Sequence, residues 1–221
     1  MERHFDRQLA ALDGRLAEMA ALVDQALDLA IAGLLAPYQE VRERAREIEG
    51  RVDALDSAVE EASQALMALQ SPVAADLRRL IAAMRIAVVL ENIGDEAERL
   101  AKRARYLARH SVPAFPPELA ALGAAVLAAF RQAVPVLRSG DTAAARAVVA
   151  LEIETDRLTK VCYQALGAAM KLDLDRLGEY SQLLRAVGRL EHAADLSVEL
   201  VEAAVFLHHG ISVRHKEIPL P

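Results

Sequence analysis

A chain of 221 residues with 54% hydrophobic but only 4% aromatic side chains can bury one large core or two small ones, and its Ala- and Leu-rich composition favours packed helices over sheets. A net charge of −6, with no Arg/Lys-rich tail and no RNA-binding aromatic motif, gives nucleic-acid binding no support. Cys162 is the single cysteine, so an intrachain disulfide and a Cys-rich metal site are both excluded.

The opening Met1-Glu2-Arg3-His4-Phe5-Asp6 has no apolar core after its charges and does not read as a signal peptide. A first helix is predicted from Glu2 to Ala36, with Phe5, Leu9, Leu12, Leu16, Met19, Val23, Leu27, Ala30 and Leu34 recurring at three and four. Pro37 interrupts it, because proline lacks the amide donor and clashes with the preceding turn. A second helix spans Tyr38 to Gln70. Ser71-Pro72 then reads as an N-cap followed by Pro at the first helical position. The third helix runs on to His110 and is the longest of the predicted set, about 38 residues.

Three prolines between Ser111 and Pro117 make that segment the predicted linker. Beyond it the pattern restarts. The fourth helix covers Pro117 to Arg138, with Pro135 expected to kink or tighten its end. Its longest uncharged apolar run, Leu119 to Phe130, is shorter than a bilayer span, so a soluble cytoplasmic protein is expected. Ser139-Gly140-Asp141 supplies a stop, a turn and a cap. The fifth helix spans Asp141 to Met170, and the sixth runs from about Asp173 to His209-Gly210. Residues 211–221 have no helical period and are expected to form a loosely held tail.

Two stretches tie the halves together. Leu90-Glu91-Asn92-Ile93-Gly94-Asp95 overlays on Leu190-Glu191-His192-Ala193-Ala194-Asp195, and Glu49 and Asp53 overlay on Glu152 and Asp156. Each of the four places carries Glu with Asp four residues later. An internal duplication explains the matching order. The expected fold is all-α: six long helices in two tandem, spectrin-repeat-like three-helix bundles. Residues 1–112 form the first, 113–210 the second, and 211–221 a C-terminal tail.

Side chains four apart share one side of a helix, and like charges there repel. On a helical wheel Glu91 and Asp95 lie opposite Ile93, Leu100, Ala104 and Leu107, so the couplets are expected to face outward. A ferritin-like di-iron centre instead projects Glu and Glu-x-x-His into the core, and no Glu here has His at the third place after it. Two readings stay open on the residues alone. The couplets form a wet acidic surface, or neighbouring helices join them around a cation such as Mg²⁺, Ca²⁺, Mn²⁺, iron or zinc.

The chain resembles the PhoU family of phosphate-signalling regulators. Phe5-Asp6-Arg7-Gln8-Leu9 onward is similar to the family's opening helix, and Leu69-Gln70-Ser71-Pro72-Val73-Ala74-Ala75-Asp76-Leu77-Arg78 to its turn into the third helix. Leu90–Asp95 resembles the signature Leu-Glu-Arg-Ile-Gly-Asp, with Asn92 where Arg is usual. The second copy keeps both acids and lacks the Arg, Ile and Gly. The resemblance implies multinuclear iron or zinc clusters held by Glu49, Asp53, Glu91 and Asp95 in the first half. In the second half it implies Glu152, Asp156, Glu191 and Asp195. It also implies negative regulation of phosphate uptake and of the phosphate-starvation response. The implied partners are the phosphate ABC transporter ATPase and a phosphate-responsive sensor histidine kinase. The protein would then be peripheral to the membrane through those partners, and a homodimer is compatible with it.

No glycine-rich phosphate loop, Walker-type Lys or Ser/His/Asp arrangement is present, so a non-catalytic regulator leads. A carboxylate-ligated metal hydrolase or oxidase and a metal-free helical scaffold are the alternatives. Among other residues, His192 is expected to be a bystander and Cys162 a packing residue. His208 and His209 suit the end of the sixth helix. Lys102, Arg103 and Arg105 read as a solvated basic face or a partner contact.

Overall fold

Apolar residues spaced at three and four drive the chain into helices whose buried stripes pack together. The computed structural model describes residues 4–70, 72–110 and 115–213. Its elements are α1 (His4–Leu35), α2 (Val41–Gln70), α3 (Ala75–Leu107), α4 (Pro117–Ser139), α5 (Thr142–Leu172), a 3₁₀ turn (Leu174–Arg176) and α6 (Leu177–His209). No strand occurs among the described residues, as the all-α expectation requires.

The largest differences from the sequence reading fall at helix ends. Val41 begins α2, three residues after Tyr38, and α3 begins at Ala75. Pro72 is therefore outside α3, and Ser71 lies outside the described residues. Ala74 takes the cap position at φ 45° with no side-chain cap hydrogen bond. Shortened at its start, α3 has 33 residues, the same as α6. Pro135 sits inside α4, which continues to Ser139. The stop itself follows expectation: Gly140 is left-handed at φ 64°, and the Asp141 side chain accepts hydrogen bonds from the amides of Ala143 and Ala144. Most of the predicted linker (111–114) and of the predicted tail (214–221) lies outside the described residues. Within the tail, Val213 is buried against the core rather than loosely held.

α1, α2 and α3 pack on one another, as do α4, α5 and α6. The two triplets then join, chiefly through α3 against α6 and also through α1 against α4. Along the main seam Glu96 meets Arg189, Arg103 meets Gln182, and Arg85 lies over the Phe206 ring. Numbers rise on α3 as they fall on α6, so the two helices are antiparallel. By the hundred-residue offset, the middle of this register lies at Asn92-Ile93 against His192-Ala193. Both copies of the motif therefore stand at the centre of the molecule.

By length and composition alone α4 is long and apolar enough to cross a bilayer, a test that a core helix also passes. Its apolar face is occupied within the fold: Leu119, Leu122, Val126, Phe130, Ala133 and Val136 are buried. Arg131 joins it to α1 through Asp24 at 2.6 Å and Asp28 at 3.3 Å. Beside this pair α4 comes so close to α1 that a Cβ on Gly123 would stand 2.7 Å from Ile31 Cγ2.

That contact predicts a measurable strain. Gly123→Ala should lower the urea unfolding free energy by about 1–3 kcal/mol, the usual range for overpacking. In an Ile31→Ala background the same change should have a much smaller effect, because the opposing methyl is gone.

Candidate metal centre

Neighbouring helices bring the couplets together in pairs: α2 supplies Glu49 and Asp53 beside Glu91 and Asp95 of α3, and α5 supplies Glu152 and Asp156 beside Glu191 and Asp195 of α6. Asp53 is exposed, and the other seven are half-buried. The couplets expected to face outward stand at seams between neighbouring helices and stay partly open to solvent, with the Asp95 and Asp195 side chains 30% and 48% exposed. A wheel assumes one buried side, whereas α3 is covered by α1, α2 and α6 at once. Residues opposite the main stripe therefore border seams between helices.

The electrostatics record the crowding. Partial burial pushes the Glu49 carboxyl above its ordinary range, and the charges of Asp53, Asp95 and Glu98 push it the same way. Glu91 is raised by burial and then by Asp95, Asp53 and Asp56, against a smaller opposing effect of Arg99. So each Glu of the first half is affected by both aspartates, one on its own helix and one across the α2–α3 seam, with Asp56 and Glu98 at the margin. Two arginines already answer part of this charge. Arg99 Nη2 donates to Asp95 Oδ2 at 2.6 Å, and Arg42 Nε donates to Glu98 at 2.9 Å.

The second half has the same layout without those cations. One carboxylate oxygen each from Glu152, Asp156 and Asp195 lie within 4.8 Å of one another. Glu191 is not in that triad, but its carboxyl is raised by burial and by Asp195 and Asp156. Glu152 is raised by burial, Asp156 and Asp195. Asp195 is raised by burial, Asp156 and Glu199, with His192 pulling the other way. His192 Nδ1 lies 3.9 Å from Asp195 Oδ2 and the side chain is exposed. The residue aligned with Arg99 is Glu199, so here the repeat adds negative charge where the first half adds a guanidinium.

The donor set tests whether a metal suits these positions. All the donors are mutually repelling carboxylate oxygens, and all but Asp53 are half-buried. That is the chemistry of a hard cation's ligands, and iron and zinc also accept it. A multivalent ion between the helices would reverse the repulsion that raises these carboxyls.

Several other residues take places that the sequence did not reveal. Glu96, next to Asp95, is 2% exposed and is held by Arg99 Nη1 at 2.6 Å and by Arg189 Nη1 at 3.2 Å. Its partner on α6 is 93 positions away, and no local pattern announces it. The basic cluster is not one solvated face: Lys102 is exposed, Arg105 pairs with Glu43 at 2.9 Å, and Arg103 turns into the α3–α6 seam to donate to Gln182 at 2.9 Å. His208 and His209 serve the end of α4, donating through Nε2 to the carbonyls of Leu137 (2.9 Å) and Gly140 (2.8 Å). Cys162 is fully buried, and burial lifts its thiol to about 11, as befits a packing residue.

Comparison with known proteins gives a consistent result. The family model described as the PhoU domain matches residues 16–104 and 119–204. The phosphate-specific transport system accessory protein PhoU homolog of Zymomonas mobilis is 28% identical, covering 93% of this chain and 87% of that protein. The homolog of the same description from Pseudomonas aeruginosa is 25% identical over 97% of this chain and 89% of its own length. Among solved structures, PhoU from Pseudomonas aeruginosa superposes with a TM-score of 0.89 at 24% identity, covering 94% of this chain and all of that one. The phosphate transport system regulatory protein PhoU from Streptococcus pneumoniae gives a TM-score of 0.85 at 23% identity, covering 95% of this chain and 99% of that one.

The raised carboxyls set the sign of a pH effect in metal-free protein. A folded-state value above the unfolded one means that the charged form is penalised in the fold. The penalty is full above the raised value and vanishes below the ordinary carboxylate range. Glu152→Gln should therefore stabilise the metal-free protein at neutral pH by a few tenths of a kcal/mol, small because solvent screens the site. The gain should fade as pH drops toward about 4, where both states take up the proton. Urea unfolding at the two pH values measures it.

Proposed function

The chain belongs to the PhoU family, and from that premise we propose that it is a non-catalytic, metal-dependent regulator of phosphate transport. Its relatives are named accessory proteins of the phosphate-specific transport system, and the name describes an adjunct to a transporter rather than a catalyst. In the proposed role it acts in the cytoplasm as a negative regulator of phosphate uptake and of starvation signalling. It binds the ATPase of the phosphate transporter and the sensor histidine kinase through helical surfaces. Residues 1–112 and 113–210 act as two repeats of one ancestral unit. Support for that division comes from the two triplets of helices and the matching order of their couplets.

The observation that carries the metal dependence is the second-half triad, whose three oxygens lie within 4.8 Å of one another. Glu152, Asp156 and Asp195 would hold the first ion, with Glu191 beside them. Glu49, Asp53, Glu91 and Asp95 would hold the ion of the first half. A bound ion would supply charge neutralisation there, pinning α5 to α6 and α2 to α3. Arg99 makes the two sites unequal, because an ion that takes Asp95 Oδ2 must displace a guanidinium already 2.6 Å away.

Elemental analysis of purified protein measures this directly. Iron or zinc should be present, and Asp156→Ala with Asp195→Ala should remove the metal retained under limiting supply. Arg99→Ala should increase uptake by the first half. Metal content unchanged by the double substitution would contradict the assignment. In cells, an interaction with the transporter ATPase that weakens in the same double variant would join metal and regulation.

A further inference from the structure

Away from the carboxylate seams, the α3–α6 interface gathers positive charge at one corner. On α3, Glu96, Arg99 and Arg103 follow one another at three and four. On α6, Gln182, Arg185 and Arg189 do the same and run the opposite way. The carboxylates there are committed. Glu96 is shared between Arg99 and Arg189, and Glu98 accepts from Arg42. Arg103 and Arg185 take part in no ion pair among the described residues. Arg103 Nε is also buried without a hydrogen-bond partner. The Arg103 guanidinium is pushed below its ordinary range by burial, then by the charges of Arg185 and Arg189, with Arg42 adding to them and only Glu98 opposing. Arg103 thus reaches α6 at Gln182, one turn from Arg185 and two from Arg189, and the three form a basic cluster in a chain whose net charge is −6.

The duplication supplies an internal control. By the offset of one hundred residues, the opposite corner of the same seam carries Ala82, Arg85 and Val89 against Leu196, Glu199 and Ala203. That corner packs the same two helices with apolar contact. It forms a cleft of about 380 Å³ in which the single Arg85 is accompanied by Glu199 and Glu202. The counterparts of Arg103 and Arg185 at that corner are Ala203 and Arg85, so packing of the two helices there needs no second unpaired guanidinium. Like-charged groups held together in a partly desolvated seam destabilise a fold unless an anion joins them. Guanidinium forks match the oxygens of a tetrahedral oxyanion, and Arg185 is exposed, so the corner is open to solvent.

We propose that Arg103 and Arg185, with Arg189 behind them, form a binding site for a small tetrahedral oxyanion, inorganic phosphate, at the junction of the two helix triplets. The choice of phosphate among oxyanions rests on the regulatory reading above; the existence of the site rests on its own geometry. An anion there would draw α3 and α6 together at one corner of their crossing. The ligand of a phosphate regulator would then act on the contact between its halves.

Isothermal titration of the full chain with inorganic phosphate tests this, after chelation and at low ionic strength, where screening is least. One saturable site per chain is expected. Arg103→Ala and Arg185→Ala should each weaken it roughly tenfold or more, the usual loss for a charge-assisted hydrogen bond. Arg85→Ala, at the opposite corner, should leave it intact. Because Arg185 is on the surface, its loss should not disturb folding, and circular dichroism checks that. A titration with sodium sulfate separates phosphate from oxyanions in general, and sulfate bound in place of phosphate would overturn the ligand assigned. Absence of saturable binding, or binding that survives Arg185→Ala, would overturn the site. Binding lost on Asp156→Ala would instead place the anion at the metal centre and overturn it too. Failure of the metal reading, seen by elemental analysis, leaves these outcomes unaffected.

Discussion

One buried carboxylate sets the relation between the two halves of this molecule. Glu96 has almost no contact with water, and it is held from its own helix by Arg99 and from the other half by Arg189. Removing one partner from such a pair typically costs several kcal/mol, about 3–5, because a charge is then left in a poorly solvated place. Sliding α3 along α6 by one helical turn would part Glu96 from Arg189 and Arg103 from Gln182 together. The apolar contacts along the seam resist separation but are tolerant of register; the charged ones are not. Register here is consequently a matter of electrostatics, while adhesion is a matter of apolar burial.

The same arginine that holds Glu96 also reaches Asp95. Arg99 therefore stands between the α3–α6 junction and the acidic seam of the first half. In the second half Glu199 and Leu196 take the places of Arg99 and Glu96, so the link made by that arginine is not repeated there. A duplicated backbone has thus been given two different electrostatic states. One couplet pair is partly neutralised by arginines, and in the other Lys160 opposes the repulsion at Glu191 and His192 opposes it at Asp195.

Much of the architecture could be read from the sequence because it rests on local periodicity. Stripes such as Leu9, Leu12, Leu16, Met19 and Val23 are buried as their spacing demands. Gly140 and Asp141 end one helix and cap the next through interactions within a few residues. The entry to α3 departs from its local signal, because Ser71-Pro72 carries the right residue types for a cap three positions too early. The couplets were visible as a repeated spacing, and adjacent helices do bring them side by side. Their partial burial was not visible, since it depends on how many neighbours a helix acquires. Least legible were contacts made across the halves. Glu96 to Arg189, and His208 and His209 to the end of α4, join residues some seventy to ninety positions apart and leave no periodic trace.

The asymmetry of that central contact bears on why both halves reside in a single polypeptide. Were α3 to meet a copy of itself in the place of α6, the residue opposite Glu96 would be Val89, and α6 against its own copy would set Leu196 opposite Arg189. Either self-pairing strands an ion against hydrocarbon, whereas the pairing within the chain satisfies both. The two helices are thus electrostatic complements of each other along this seam, and neither is the complement of its own copy.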